Sequence, residues 1–262
     1  MHKMFIADAF ANAPFRGNPA AVCLIPEGEW PEDEWLQKVA AEMNLSETAF
    51  VAPEGDEFRL RWFTPEVEVD LCGHATLATA HILWEQGESR GQLRFRTRSG
   101  ILVASRAGES IELDFPQLET QRCECPEELL QAIPATILYC GRSQTDYVLE
   151  LGSEAEVAAL RPDLGFVKRI EARGVIVTAP SDKPERDFVA RCFYPAIGID
   201  EDPVTGSAFC ALGPYWAERL NRKRLTGEQI SARSGFVGVR LSEENRIVLS
   251  GQAATVLKGT LG

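Results

Sequence analysis

Arg61-Trp62-Phe63-Thr64-Pro65-Glu66-Val67-Glu68-Val69-Asp70 returns 130 positions later as Arg191-Cys192-Phe193-Tyr194-Pro195-Ala196-Ile197-Gly198-Ile199-Asp200. Both segments read Arg-x-Phe-x-Pro-x-apolar-x-apolar-Asp. Each is followed by a glycine that opens a run of small residues, Gly73-His74-Ala75 in one half and Gly206-Ser207-Ala208 in the other, at an offset of 133. A third match, Arg98-Ser99-Gly100-Ile101 against Arg233-Ser234-Gly235-Phe236, lies at an offset of 135. Three matches in the same order point to a chain written twice, in the sense used for repeat architectures but with a much longer period.

The local patterns agree with such a duplication. Segments 58–63, 93–96, 111–115 and 237–241 alternate apolar and polar residues as half-buried strands do. Residues 75–86 read as a helix stopped by Gly87, small or apolar on nearly every side and therefore buried all round. Its counterpart, beginning at Ser207, has the same character and is expected to be interrupted by Gly213-Pro214. An amphipathic helix is expected over 32–43, with Pro31 near its start and Asn44 beyond its end. The economical architecture is α+β: two pseudo-symmetric lobes, residues 1–125 and 126–262, each a strand barrel around a central helix, with the active site in the cleft between them.

Composition narrows the function classes. The formal charge of −12 argues against partners that need a basic surface, so no nucleic acid and no anionic membrane are expected. An acid in the first apolar stretch and the lack of long uninterrupted apolar runs suggest a soluble, cytoplasmic chain. Seven cysteines without an export signal fit reduced thiols better than a disulfide framework. The three histidines, His2, His74 and His81, fall in no spaced ligand set, so no metal is expected.

Four places can carry chemistry. The paired glycine turns open buried helices whose free N–H groups favour an anion; Gly73 and Gly206 let backbone approach a ligand, and Ser207 can cap its helix or donate to a carboxylate. Taken singly, either turn is more often a plain turn with a helix cap; the matched pair shifts the balance. In Leu45-Ser46-Glu47-Thr48-Ala49-Phe50-Val51 a strand reading puts Glu47 on the face of Leu45, Ala49 and Val51, where desolvation raises a carboxyl pKa toward neutral pH. A salt-bridged or edge-strand glutamate reads equally well from that pattern. His74 at a helix start favours its neutral form, though a hydrogen-bonded structural histidine is the commoner case. Asp202, before Pro203-Val204-Thr205-Gly206, serves equally well as a turn aspartate.

Together, Gly17-Asn18-Pro19-Ala20-Ala21-Val22, Asn44-Leu45-Ser46-Glu47-Thr48-Ala49-Phe50, Asp70-Leu71-Cys72-Gly73-His74-Ala75-Thr76 and Asp202-Pro203-Val204-Thr205-Gly206-Ser207-Ala208 resemble the PhzF-like (phenazine biosynthesis) isomerase family, related in fold to diaminopimelate epimerase. The resemblance runs from about Phe5 to about Gly251. It implies a two-lobed, usually dimeric isomerase without metal or organic cofactor, acting on a small carboxylate such as a dihydro-3-hydroxyanthranilate. Carried over motif by motif, the acid/base glutamate falls on Glu47, the active-site histidine on His74 and the aspartate on Asp202. Ser46, Gly73, Gly206 and Ser207 fall where the family holds the substrate's carboxylate and neighbouring groups. Related epimerases use one cysteine from each half; here Cys72 precedes Gly73, but Thr205 precedes Gly206, which disfavours two-thiol chemistry. A racemase using Cys72 with another partner, and a non-catalytic binding protein on the same fold, are the alternatives.

Overall fold

The computed structural model describes residues 1–262 and divides into two compact units, residues 1–114 with 250–262, and residues 115–249. Both mix strands with a few helices.

In the first unit, β1 (His2–Ala9) lies between β2 (Asn18–Leu24) and β18 (Ala253–Leu261), antiparallel to both. Helix α1 (Asp33–Met43) crosses over so that β3 (Glu47–Glu54) runs parallel to β2, Ala20 facing Glu47. β4 (Glu57–Phe63) returns antiparallel to β3 and forms a hairpin with the short β5 (Glu68–Val69). After α2 (Gly73–Glu85), β6 (Gln92–Thr97) pairs parallel with β4, and β7 (Gly100–Ala107) and β8 (Ser110–Pro116) follow antiparallel.

The second unit repeats this pairing order. β10 (Tyr139–Arg142) lies between β9 (Gln121–Arg122) and β11 (Asp146–Glu150), antiparallel to both, with α3 (Glu127–Ala132) in the preceding connection. Two short helices, α4 (Glu154–Ala159) and α5 (Leu164–Val167), replace α1 before β12 (Gly174–Pro180) runs parallel to β11. β13 (Phe188–Tyr194) is antiparallel to β12 and pairs with β14 (Ile199–Asp202), as β4 does with β5. After α6 (Gly206–Leu220), β15 (Arg224–Gln229) runs parallel to β13, β16 (Gly235–Leu241) returns beside it, and β17 (Arg246–Gly251) follows.

The duplicated segment shows why it repeats. Arg61 near the end of β4 grips both carboxylate oxygens of Glu68 across the hairpin, at 2.7 and 2.6 Å. Arg191 near the end of β13 grips Glu201 the same way, at 2.7 and 2.8 Å. A bidentate guanidinium–carboxylate fork fixes the turn that aims each following helix.

Helix α2 is buried along most of its length, from His74 to Trp84 with only His81 half-buried, and packs on β1, β2, β3, β7 and β18. Helix α1 buries Leu36, Val39 and Ala40 on one face, and Asn44 ends it in the left-handed conformation that asparagine tolerates.

Two expectations are corrected. The division falls at 114/115 and 249/250 instead of 125/126, because β18 zips along the whole of β1 and so returns to the first unit. Helix α6 continues through Gly213-Pro214 to Leu220. Pro214 has no N–H for the Cys210 carbonyl, and the Leu118 N–H donates to that carbonyl instead, at 3.0 Å. Gly213 is needed there because a Cβ would meet Ile247 and Val239 side chains at 2.4 and 2.8 Å.

Candidate active site

Glu47 is the first residue of β3, and the left-handed turn at Asn44 together with Leu45 and Ser46 delivers it there. His74 is the second residue of α2, and Cys72 is its N-cap in extended conformation, without a side-chain cap. These separate elements bring three side chains together. His74 Nε2 lies 3.2 Å from Glu47 Oε2, with the two side chains 8% and 15% exposed. The contact is close without the alignment of a good hydrogen bond. On the ring's other nitrogen, Nδ1, the Cys72 Sγ lies at 3.5 Å.

Burial pushes the His74 imidazole down to about 4, so the ring is neutral near pH 7. A neutral ring beside a carboxylate sheltered from water can pass or accept a proton with little solvent in the way. Gly73 gives α2 its first turn between Cys72 and His74, and Ser46 is half-buried next to Glu47.

Each of Glu47, Cys72 and His74 offers one ligand atom, and the three atoms lie within 4.8 Å of one another. Sequence spacing had put His74 in no ligand set. The structure gives it two partners of metal-binding type, although sulfur and carboxylate address different ring nitrogens.

The second unit has its own polar set at the start of α6. Asp202, buried at the end of β14, accepts a hydrogen bond from the Thr205 hydroxyl. Gln229, at the end of β15, locks this loop by donating to the Asp202 carbonyl at 2.6 Å and accepting from the Thr205 N–H at 2.8 Å. Ser207, in the position His74 holds in α2, does not cap α6; its hydroxyl accepts from Arg173 Nη2 at 3.0 Å. Arg173 is fixed by buried Asp146, with Nε donating to Oδ1 at 2.9 Å, and lies over the Tyr194 ring at 4.7 Å. Thr205, the N-cap of α6, makes no side-chain cap to the helix.

Sequence reasoning passed over Arg173, Asp146 and Gln229, which come from β11, β15 and the segment before β12. It also passed over the contact of Cys72 with His74. Only the Arg-x-Phe-x-Pro duplication, by marking where each α2-type helix begins, could have directed attention to the residues packed around those starts.

Strand order and the two buried helices define a protein of mixed α/β fold that holds a carboxylate–imidazole pair at a helix start. The chain belongs to the phenazine biosynthesis-like (PhzC-PhzF) family, whose model matches residues 7–259. It is 50% identical over 261 residues to an uncharacterized isomerase of Halalkalibacterium halodurans, covering 98% of this chain and 97% of that protein. A solved structure of a phenazine biosynthesis protein of the PhzF family from Enterococcus faecalis is 42% identical, with a TM-score of 0.94 and 98% of each chain covered. A predicted epimerase from Pseudomonas aeruginosa shares the fold at 20% identity, with a TM-score of 0.74 over 100% of this chain and 99% of that one.

Proposed function

We propose that this protein is a cofactor-independent isomerase that shifts a proton between carbons of a small carboxylate metabolite, of the dihydro-3-hydroxyanthranilate type, with Glu47 as acid and base. The observation that carries this reading is the Glu47 carboxylate, largely removed from water and 3.2 Å from an imidazole that burial keeps neutral. A group that both removes and returns a proton must exchange it slowly with bulk water, and partial burial supports that. His74 orients Glu47 and polarises the substrate. Asp202, held by Thr205 and by Gln229 through its backbone carbonyl, is assigned to positioning a substrate polar group. Ser46, Gly73, Gly206 and Ser207 are assigned to the substrate carboxylate and its neighbours. The N–H groups at the two helix starts and the Arg173 cation beside Ser207 favour an anion at such positions.

Each unit, in this reading, closes as a barrel around its helix, since a helix buried on nearly all sides needs strands on nearly all sides. The protein is further proposed to act as a homodimer, which light scattering on the purified protein checks directly.

The deciding experiment gives wild type and Glu47→Gln a panel of small conjugated carboxylates in heavy water, following product and its deuterium content. Turnover in wild type that falls by roughly 10²–10⁴-fold in Glu47→Gln, with substrate affinity kept, is the expected result. Retained turnover in the Gln variant overturns the assignment. Dialysis against a chelator is expected to leave wild-type turnover unchanged; loss restored by a divalent cation would make the Glu47, Cys72 and His74 trio a metal site instead.

A further inference from the structure

We infer that Cys72, His74 and Glu47 form a proton relay in which the thiol and the carboxylate exchange one proton through a neutral imidazole. The proposal rests on Glu47 as the acid/base group and adds a second terminus to it. The geometry is specific: Cys72 Sγ meets Nδ1 at 3.5 Å and Glu47 Oε2 meets Nε2 at 3.2 Å, so each ring nitrogen faces a different titratable group. A single cation could take only one of those nitrogens, whereas a relay uses both.

In one state sulfur carries the proton, Nε2 carries the ring proton and Glu47 is ionised. The S–H bond breaks as Nδ1–H forms, and the Nε2–H bond breaks as the Glu47 O–H forms. The other state is a thiolate, a tautomerised neutral ring and a carboxylic acid. One negative charge has moved from carboxylate to sulfur, and the imidazole has changed tautomer without becoming a cation. Burial opposes an imidazolium here, so a route that avoids it is favoured. The thiolate end is also placed well: Cys72 is the N-cap of a helix of 13 residues, and helix N-termini stabilise thiolates. The carboxylate needs only to turn into line with Nε2, a tightening that acid/base sites commonly complete when substrate binds. Two positions in the first unit can then remove or return a proton.

The test reads the thiol without substrate. Wild type, Glu47→Gln and His74→Asn are exposed to iodoacetamide at pH 7.5, and alkylation of Cys72 and of half-buried Cys123 is followed by peptide mass spectrometry. Each variant is expected to lower the Cys72 rate tenfold or more and leave the Cys123 rate unchanged, with the double variant no slower than the singles because the three groups act as a unit. The thiolate absorbance lost on Cys72→Ala should be lost equally in both variants. A wild-type Cys72 that stays unlabelled while Cys123 reacts overturns the relay. So does a Glu47→Gln protein that keeps the wild-type Cys72 rate, which would leave a simple thiol–imidazole pair. If His74→Asn does not fold, the nearly isosteric Glu47→Gln alone decides. Turnover of Glu47→Gln tests the isomerase reading and the thiol rate tests the relay, so either can fail alone.

Discussion

Burying a neutral histidine ties the stability of this protein to pH. In the unfolded chain His74 titrates near 6.5, and in the folded protein burial brings it down to about 4. Between those values the unfolded chain binds more protons, so stability rises with pH through this window and is lost as pH falls through it. At about 1.4 kcal/mol per pKa unit the loss from pH 7 to pH 4 is roughly 3 kcal/mol from this group. Denaturant titrations at several pH values should show that slope in wild type and a shallower one in His74→Gln; equal slopes would mean that His74 is not the group responsible. His74 and Glu47 were both legible because a helix start and a strand pattern are local properties. The Cys72 contact was not, because residues two apart do not face each other on a helix; Cys72 meets the ring only because, as N-cap, it is still in extended backbone. Arg173 was invisible for a different reason: 34 residues separate it from Ser207, and only the β-crossover brings them together.

The elements that aim these residues depend on a few positions that allow little substitution. Gly17 turns the chain between β1 and β2 at a φ of +63°, and a Cβ there would lie 2.1 Å from the Ala9 carbonyl oxygen. Gly28 has a similar φ, +77°, in open space. Gly28→Ala should therefore cost only the roughly 1–2 kcal/mol of left-handed strain, while Gly17→Ala adds a backbone clash and should cost distinctly more, readable as melting temperatures. In the β4–β5 hairpin, Arg61 and Glu68 are both nearly buried, whereas Asp33, the other partner of Arg61, is 69% exposed. Arg61→Leu leaves the nearly buried Glu68 carboxylate with the half-exposed Arg98, 2.8 Å away, as its cation and should cost about 2–3 kcal/mol, while Asp33→Ala should cost at most about 1 kcal/mol. Equal losses in denaturant titrations would refute this ranking. The duplicated Arg-x-Phe-x-Pro stretch made the repeat legible in sequence, but not the hairpins, because the glutamates that complete the forks lie 7 residues after Arg61 and 10 after Arg191. The persistence of α6 past Pro214 was not legible, since the hydrogen bond from Leu118 that satisfies the Cys210 carbonyl comes from a residue 92 positions away.

At the scale of the molecule the two pairing orders match, yet the cut between the units was misread. A repeat in sequence fixes the length of a unit but not which strand finishes it, and β18 pairs with β1 across the whole chain length. Residues 1–114 alone should therefore lack cooperative unfolding, and adding a peptide of residues 250–262 should restore it, measured by circular dichroism and amide exchange. A fragment of 1–114 that folds cooperatively unaided would show that β18 is dispensable. The discontinuity also sets an order of events during translation. Residues 1–114 are made before the 250–262 segment that completes their unit, and the 135 residues between take roughly 7–27 s to synthesise at about 5–20 residues per second. Through that interval the edge of β1 that β18 covers stands unpaired while the second unit is still being made. Slowing synthesis of the stretch from 115 to 249 lengthens the time that edge is open to other nascent chains, so the yield of native protein from the ribosome should depend on codon speed there more than in the first unit.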